Sequence, residues 1–314
     1  MYDVITVGSG TIDVFMDTGS RLFQRVKGGN VHVPFGSKIL VDAMNTSTGG
    51  GGTNTAVSLS RLGLKVAWLG KIGKGTNSER LLKEMEKEKV DTSLVRRDMK
   101  SRTGYSVILD AKGYDRTILV FKGSNDDLGW NEINKSKINA KWMYCSSMIG
   151  KSFKTLEKLV VFARKKGIKV AFNPSSYQAK KGAGFLKNVI KNTNLLVMND
   201  EEAGYLTKEK SIEKSLKKLA SMGPEFVVIT LGPKKKVYVY NQKKIYKMAV
   251  KAKKAVEATG AGDSFASAFL AGIIRKNDVN FALKLGFANA ESVVTHYGAK
   301  NKLLSWNQAM KKIK

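Results

Sequence analysis

A single cysteine, Cys145, in 314 residues leaves no partner for an intramolecular disulfide, so the fold has to rest on burial rather than on cross-links. It lies in the apolar run Trp142-Met143-Tyr144-Cys145 and reads as a core thiol, not a nucleophile. Two histidines, His32 and His296, stand far apart with no acid or cysteine at ligand spacing, which argues against a histidine metal site. Four prolines, no low-complexity tract and no fixed-period repeat argue against a linker-separated array. No apolar run approaches membrane-spanning length and the N-terminus lacks a basic-then-apolar leader, so the chain reads as cytoplasmic with no membrane partner. Acids are scarce too: 26 Asp and Glu face 55 Lys and Arg, a formal charge of +29 that favours anionic partners. The lysines fall in short clusters on expected helix faces and turns, such as Lys165-Lys166, Lys217-Lys218, Lys234-Lys235-Lys236 and Lys253-Lys254. With no interleaved aromatic-basic stripe and no zinc-finger spacing, they read as a solvated surface rather than a nucleic-acid interface.

What is present is a hydrophobic fraction of 42%, enough for a real core. Residues 3–7 form a short apolar strand ending at Gly8-Ser9-Gly10-Thr11-Ile12-Asp13. This resembles a dinucleotide-fold opening, but the third glycine is missing and the following residues read as strand instead of helix. Residues 22–43 read as a glycine-punctuated β segment turning at Gly28-Gly29-Asn30, and residues 103–110 and 116–121 as a second hairpin around Lys112-Gly113. The tetraglycine Gly49-Gly50-Gly51-Gly52 leads into a helix marked by Ala56, Leu59 and Leu62 and closed by Gly63. A strand at 65–69 and a polar helix at 78–89 follow. From residue 141 strands (141–146, 168–172, 194–198, 225–230) alternate with helices (152–166, 183–191, 211–222), the pattern of βαβ units and a largely parallel sheet. A hairpin turning at Asn241-Gln242, helices at 263–275 and 279–296, and a basic tail helix complete the chain. The expectation is one α/β domain over residues 1–314 with β insertions at about 14–46 and 101–123, placed to form a lid.

Chemistry concentrates at Thr259-Gly260-Ala261-Gly262-Asp263. Small residues at a helix start let a ligand approach free N–H groups at the positive end of the dipole, and Asp263 puts a carboxylate beside that anion site. Such a pairing suits deprotonation of a hydroxyl while negative charge gathers on a phosphoryl group; a glycine cap followed by an N-capping acid is the plainer alternative. The tetraglycine run could bring a polyol against main-chain N–H groups or be a flexible loop; it is not a phosphate-binding loop, and Gly70-Lys71-Ile72-Gly73-Lys74-Gly75-Thr76 is not one either. Asp13, after a strand, could accept two sugar hydroxyls or simply form a turn. Asn199 and Glu202, one helical turn apart after the strand Leu195-Leu196-Val197, could hold a hydrated Mg²⁺ or merely open a helix. Thr230-Leu231-Gly232 ends another strand.

In this order the motifs resemble the ribokinase-like (PfkB) family of sugar and nucleoside kinases, over residues 4–298. The glycine run with Arg61-Leu62-Gly63 looks like the family's N-terminal signature, and Ala258-Thr259-Gly260-Ala261-Gly262-Asp263-Ser264-Phe265 like its C-terminal one. Asn199-Asp200-Glu201-Glu202 matches its N-x-x-E metal motif, and Ile229-Thr230-Leu231-Gly232 its nucleotide-side strand. The resemblance implies a three-layer α/β/α sandwich with a mainly parallel sheet and a β lid, often paired between two subunits as a homodimer. It implies an ATP-dependent kinase acting on a hydroxyl, often primary. Asp263 is the base, and the amides of Gly260, Ala261 and Gly262 stabilise the transferring group. Asp13, Gly50, Gly51 and Asn54 hold the acceptor. Asn199, Thr230, Gly232 and Asn289 attend the nucleotide, with Asn199 and Glu202 organising Mg²⁺ through water. Two departures carry meaning. Glu257-Ala258 stands where many members have Asp-Thr, a place that can belong to a monovalent cation (K⁺) site. Gly51 stands where a lysine often holds an acceptor phosphate, which tilts the expectation towards an unphosphorylated sugar or nucleoside over a sugar phosphate. A nucleic-acid-binding or regulatory protein on such a scaffold is the alternative of another class, motivated by the +29 charge.

Overall fold

The computed structural model describes all residues except 18–23, 26–30, 33–34, 37, 111–116, 233–235, 251–258, 296–297 and 314. The turns expected at Gly28-Gly29-Asn30 and Lys112-Gly113, the Lys253-Lys254 cluster, Lys234 and Lys235, the Glu257-Ala258 pair and His296 therefore lie outside the described residues. In chain order the elements are β1 (Tyr2–Val7), β2 (Thr11–Asp17), β3 (Gln24–Arg25), β4 (Val31–His32), β5 (Ala43–Gly49), α1 (Gly51–Arg61), β6 (Val66–Leu69), β7 (Lys71–Lys74), α2 (Thr76–Lys87), β8 (Arg96–Arg102), β9 (Gly104–Asp110), β10 (Thr117–Phe121) and β11 (Ala140–Ser146). There follow α3 (Gly150–Lys165), β12 (Lys169–Asn173), α4 (Ser176–Ala179), α5 (Ala183–Lys191), β13 (Leu195–Asn199), α6 (Asp200–Thr207), α7 (Ile212–Ala220), β14 (Phe226–Leu231), β15 (Lys236–Tyr240), β16 (Ile245–Ala249), α8 (Ala261–Lys276), α9 (Val279–Val293) and α10 (Trp306–Ile313).

The large sheet runs β16-β15-β14-β13-β12-β11-β1-β6, parallel except that β15, near one end, runs antiparallel to both of its neighbours, β14 and β16. Parallel strands covered on both faces read as continuous apolar runs, and these do. The period of two then divides each strand between two cores. Trp142 and Tyr144 of β11 pack with α1, α8 and α9, while Met143 and Cys145 pack with α3, α5, α6 and α7. The layered α/β sandwich expected from the alternation is what forms. A smaller sheet, β10-β9-β2-β5, takes up most of the early β segments. It is fastened at its base by Asn125, which donates to the Gly10 carbonyl at 3.0 Å and accepts from the Gly10 N–H at 3.1 Å.

One stretch gains an element, and one reading needs correction. The stretch 70–76 contributes a strand, β7, paired with β8. Lys71, the one lysine of that stretch with a buried ammonium, bonds Asp127 at 3.0 Å and Glu132 at 2.9 Å. Burial lowers its pKa, but these carboxylates outweigh burial and raise it, so the residue is a charged tie within the fold. Asp13 lies inside β2, opposite Ser47 of β5 and Ser106 of β9, and not in a turn after β1. No helix among the described residues is long and apolar enough to cross a membrane.

Candidate active site

The strand order reverses at β1: the next strand in the chain to join the large sheet, β6, lies on one side of it, and all later ones lie on the other, starting with β11. Open parallel sheets bind ligands in the crevice outside the carboxyl ends of strands at such a reversal. Here that crevice is bounded by Gly8, after β1, and Ser146, the last residue of β11. The N-terminus of α1 is seated in it. A Cβ at Gly51 would lie 2.8 Å from the Ser146 side chain, and one at Gly52 would lie 2.5 Å from the Gly8 carbonyl carbon. Gly50 has φ +95°, and a Cβ at Gly49 would collide with the Asp13 carboxylate. All four glycines are thus demanded by the way the helix start is packed, so the run is no loose loop.

The second helix start, that of α8, arrives at the same place. Gly260 adopts the left-handed conformation (φ +80°) and packs on Ala299, whose Cα would sit 2.6 Å from a Cβ at 260. The N–H groups of Ala261, Gly262 and Asp263 fall in the first turn, where no intrahelical acceptor exists. Asn54 of α1 donates through Nδ2 to Asp263 Oδ2 at 2.8 Å, joining residues 209 positions apart. Burial of the carboxyl raises the Asp263 pKa. The Asn54 bond lowers it and the nearby Asp13 charge raises it, and the net shift is upward. Around this acid, Asn54 Oδ1, Ser146 Oγ and Tyr144 Oη are buried with no hydrogen-bond partner, an arrangement that is costly unless a bound polar group completes it. Ser146 and Tyr144 escaped the reading of the sequence; the signal was there in their place at the carboxyl end of an apolar strand. Asp13 is buried, and its Oδ1 accepts from the Thr11 hydroxyl at 2.9 Å.

Beside the α8 start lies an apolar cavity lined by Thr230, Gly232, Ala261, Gly262, Phe287 and Glu291, among others. Gly232 and Gly262 differ from every glycine of the first run. Neither has a positive φ, and a Cβ on either would meet nothing within 4 Å. Among the described residues nothing requires glycine at these two positions, and the missing side chains leave room for close approach to the main chain. Asn199 pairs in register with Thr230, so the β13 end adjoins this cavity. Asn199 and Glu202 form a capping box: Asn199 Oδ1 accepts from the Glu202 N–H at 2.7 Å, and Glu202 Oε2 from the Asn199 N–H at 3.1 Å. Ser176 Oγ donates to Glu202 Oε1 at 3.2 Å, and burial raises the Glu202 pKa despite these bonds. Among the described residues no three His, Cys, Asp or Glu side chains cluster as a metal site. Asn289, expected beside the nucleotide, has its side chain engaged within the protein. It is fully buried, donates to Ser58 Oγ at 3.0 Å and the Ser264 carbonyl at 3.1 Å, and accepts from the Leu304 N–H at 3.0 Å. The α9 residues that do face the cavity are Phe287, Ala290, Glu291 and Val294, the last just past the helix end.

The family model described as pfkB family carbohydrate kinase matches residues 3–306. The chain belongs to that family. This pfkB-family chain is 30% identical over 253 residues to an uncharacterized sugar kinase of Archaeoglobus fulgidus, covering 79% of this chain and 98% of the relative. Its fold superposes on Arabidopsis thaliana ribokinase complexed with ribose and ATP, with a TM-score of 0.83 at 20% identity, covering 100% of this chain and 99% of that one. It superposes equally, at TM-score 0.83 and 16% identity, on a putative ribokinase II from E. coli in complex with ATP and Mg²⁺, again over 100% and 99% of the two chains. The pfkB-family protein is therefore a kinase of the carbohydrate class, on the ribokinase fold.

Proposed function

We propose that the protein transfers the γ-phosphoryl group of ATP to a hydroxyl, most simply a primary one, of an unphosphorylated sugar or nucleoside. The observation that carries this is the meeting of two glycine-rich helix starts through the Asn54–Asp263 bond, with a buried acid of raised pKa between them. Asp263 takes the proton as the acceptor oxygen forms its bond to phosphorus, the bond from phosphorus to the bridging oxygen of ADP breaks, and the proton leaves Asp263 for solvent afterwards. The amides at 260–262 face the charge that develops on the phosphoryl oxygens, and the open glycines Gly232 and Gly262 let the polyphosphate lie against the main chain. The unpartnered oxygens of Asn54 and Ser146 suit hydroxyl donors, as does the Asp13 carboxylate, and with Gly50 and Gly51 they make a place for a polyol.

Mg²⁺ fits the Asn199–Glu202 end through water. The Asn199 oxygen is taken by its cap, while Glu202 Oε1 accepts from Ser176 and Oε2 from the Asn199 N–H, which leaves each oxygen a lone pair for a donor. Bound there, the ion would neutralise charge on the nucleotide; the residues' own part is to hold its waters. The sheet β10-β9-β2-β5 carries Asp13 on one of its strands and acts as the lid. Ile118, Leu119, Val120 and Phe121 of β10 are exposed on its edge strand, which suits pairing with a second copy of the lid.

The test is ADP release by the purified protein with Mg·ATP against D-ribose, D-fructose, adenosine, inosine and fructose 6-phosphate. Turnover with one of the four unphosphorylated acceptors supports the reading. Turnover confined to fructose 6-phosphate would refute the acceptor class, and salt-dependent nucleic-acid binding without any phosphotransfer would refute the function.

A further inference from the structure

The turn after α9 touches both halves of the site within three residues. Gly298 (φ +92°) lies against Ser47 of β5, with a Cβ there 3.3 Å from its hydroxyl. Ala299 is the residue on which Gly260, the hinge of the α8 start, is packed. Lys300 sends a buried ammonium back to β5 and α2, donating to Thr48 Oγ1 and to Glu84 Oε2, both at 2.7 Å. Thr48 in turn bonds Glu84 directly. Ser47 and Thr48 pair in register with Asp13 and Ile12, so the ammonium grips the strand that flanks the Asp13 carboxylate. The backbone of the turn is held separately: Arg61, clamped by Glu88 at 2.6 and 2.8 Å, donates to the Leu303 carbonyl at 3.1 Å.

A comparison with Lys71 shows that this is an unusual use of a buried charge. Lys71 is ringed by acids and its pKa is raised. Burial pulls the Lys300 pKa down, and among the described residues it has one close carboxylate, Glu84, with Asp13 and Glu88 acting at longer range. An ammonium neutralised mainly by one contact depends on the placement of that contact, here on how α2 and β5 present Glu84 and Thr48 to it.

We propose that Lys300 is a positioning residue that couples the two substrates: through Thr48 and Glu84 it fixes the strand beside Asp13, and through its neighbour Ala299 it braces the Gly260 turn, so that filling the acceptor side tightens the donor side. The inference rests on the reading above, in which Asp13 holds the acceptor and the 260–262 turn holds the phosphoryl group. The coupling is reciprocal, as any linkage between two binding equilibria must be. A tie that only stabilised the fold would leave both affinities intact in folded molecules.

The experiment compares wild type with Lys300→Met, Lys300→Arg and Glu84→Gln, using as acceptor whichever compound of the ADP-release panel has the highest kcat/KM. KM for that acceptor and for ATP is measured at several fixed concentrations of the other substrate, and binding of Mg with a non-hydrolysable ATP analogue is titrated with and without the acceptor. Lys300→Met is expected to raise the acceptor KM by about ten-fold while kcat falls less, and to abolish the tightening of analogue binding by the acceptor. Lys300→Arg should restore most of both. Should Lys300→Met fail to fold, Glu84→Gln carries the same expectation, because it releases the ammonium from α2. Acceptor KM and coupling within about two-fold of wild type in a folded Lys300→Met or Glu84→Gln protein would overturn the proposal. Loss of turnover in Asp263→Asn alongside such a result would leave the proposed function standing and remove only the coupling. An unchanged acceptor KM in Asp13→Asn would instead strike at the reading of the acceptor site.

Discussion

The two helix starts that meet at Asp263 look alike in composition and differ in what made them so. In α1 every glycine from 49 to 52 is forced by a neighbour or by its φ angle: Asp13, Ser9, Ser146 and Gly8 leave no room for a side chain. In α8, Gly260 is forced by Ala299, but Gly262 faces open space, as does Gly232 across the cavity. One start is shaped by the fold and the other by something that the fold must admit. Glycine content alone could not separate the two; the space around each Cα does.

The comparison can be broken in several ways, beginning with the largest expected effect. Replacing Asp263 by Asn, at the point where the two starts join, is expected to lower kcat by about two to four orders of magnitude, the usual contribution of a positioned base. Binding of Mg·ATP, measured by calorimetry, should survive. Near-native turnover would show that the acid is a cap.

Alanine at Gly52 and at Gly262 should then part company. Gly52→Ala forces a methyl group into the Gly8 backbone and is expected to cost about 1–3 kcal/mol of stability, read in a denaturant melt. Gly262→Ala should leave the melt almost unchanged, since the position is helical and open, yet raise the KM for ATP. Equal melts for the two variants would dissolve the distinction.

A smaller effect concerns pH. The Asp263 pKa is raised, so activity should be lost as pH falls through a value above the ordinary carboxylate range, when the base becomes protonated. Asp13→Asn removes a like charge and should move this acid limb of kcat to lower pH. Asn54→Ala removes the bond that favours the ionised form and should move it to higher pH. Shifts in the same direction for both would contradict the assignment of causes. The smallest expected change is that of Gly232→Ala, a modest rise in the KM for ATP with kcat and the melt unaltered.

Much of this was legible in the sequence because it depended on local pattern. Every strand and helix expected between residues 141 and 230 has a counterpart, and α5 spans the expected residues, Ala183–Lys191, while the short helices α4 and α6 come in addition. The strands β7 and β8 were not legible. Lys71-Ile72-Gly73-Lys74 and the charged Arg96–Arg102 carry no alternation, and across the pair the buried Lys71 ammonium lies 3.8 Å from Asp98 of β8, a contact no local pattern announces. The individual residues of the site could be nominated, but their contacts could not. No spacing rule joins Asn54 to Asp263 or Lys300 to Glu84. Nor could the sequence show that three protein groups claim the amide of Asn289 on α9.

The order of the large sheet also governs when this protein can begin to work. β1 can pair with β6 once some seventy residues exist, but its other edge stays open until β11 has been made. Asn54 waits longer still, for a partner 209 residues downstream. Closing contacts of such separation is slow, because the chain entropy must be surrendered before the contact is gained. The switch-point crevice is therefore among the last parts of the molecule to take shape, and a nascent or truncated chain that already displays most of the sheet has neither Asp263 nor the Gly260 turn in place. Catalytic competence arrives with completion of the fold and not before.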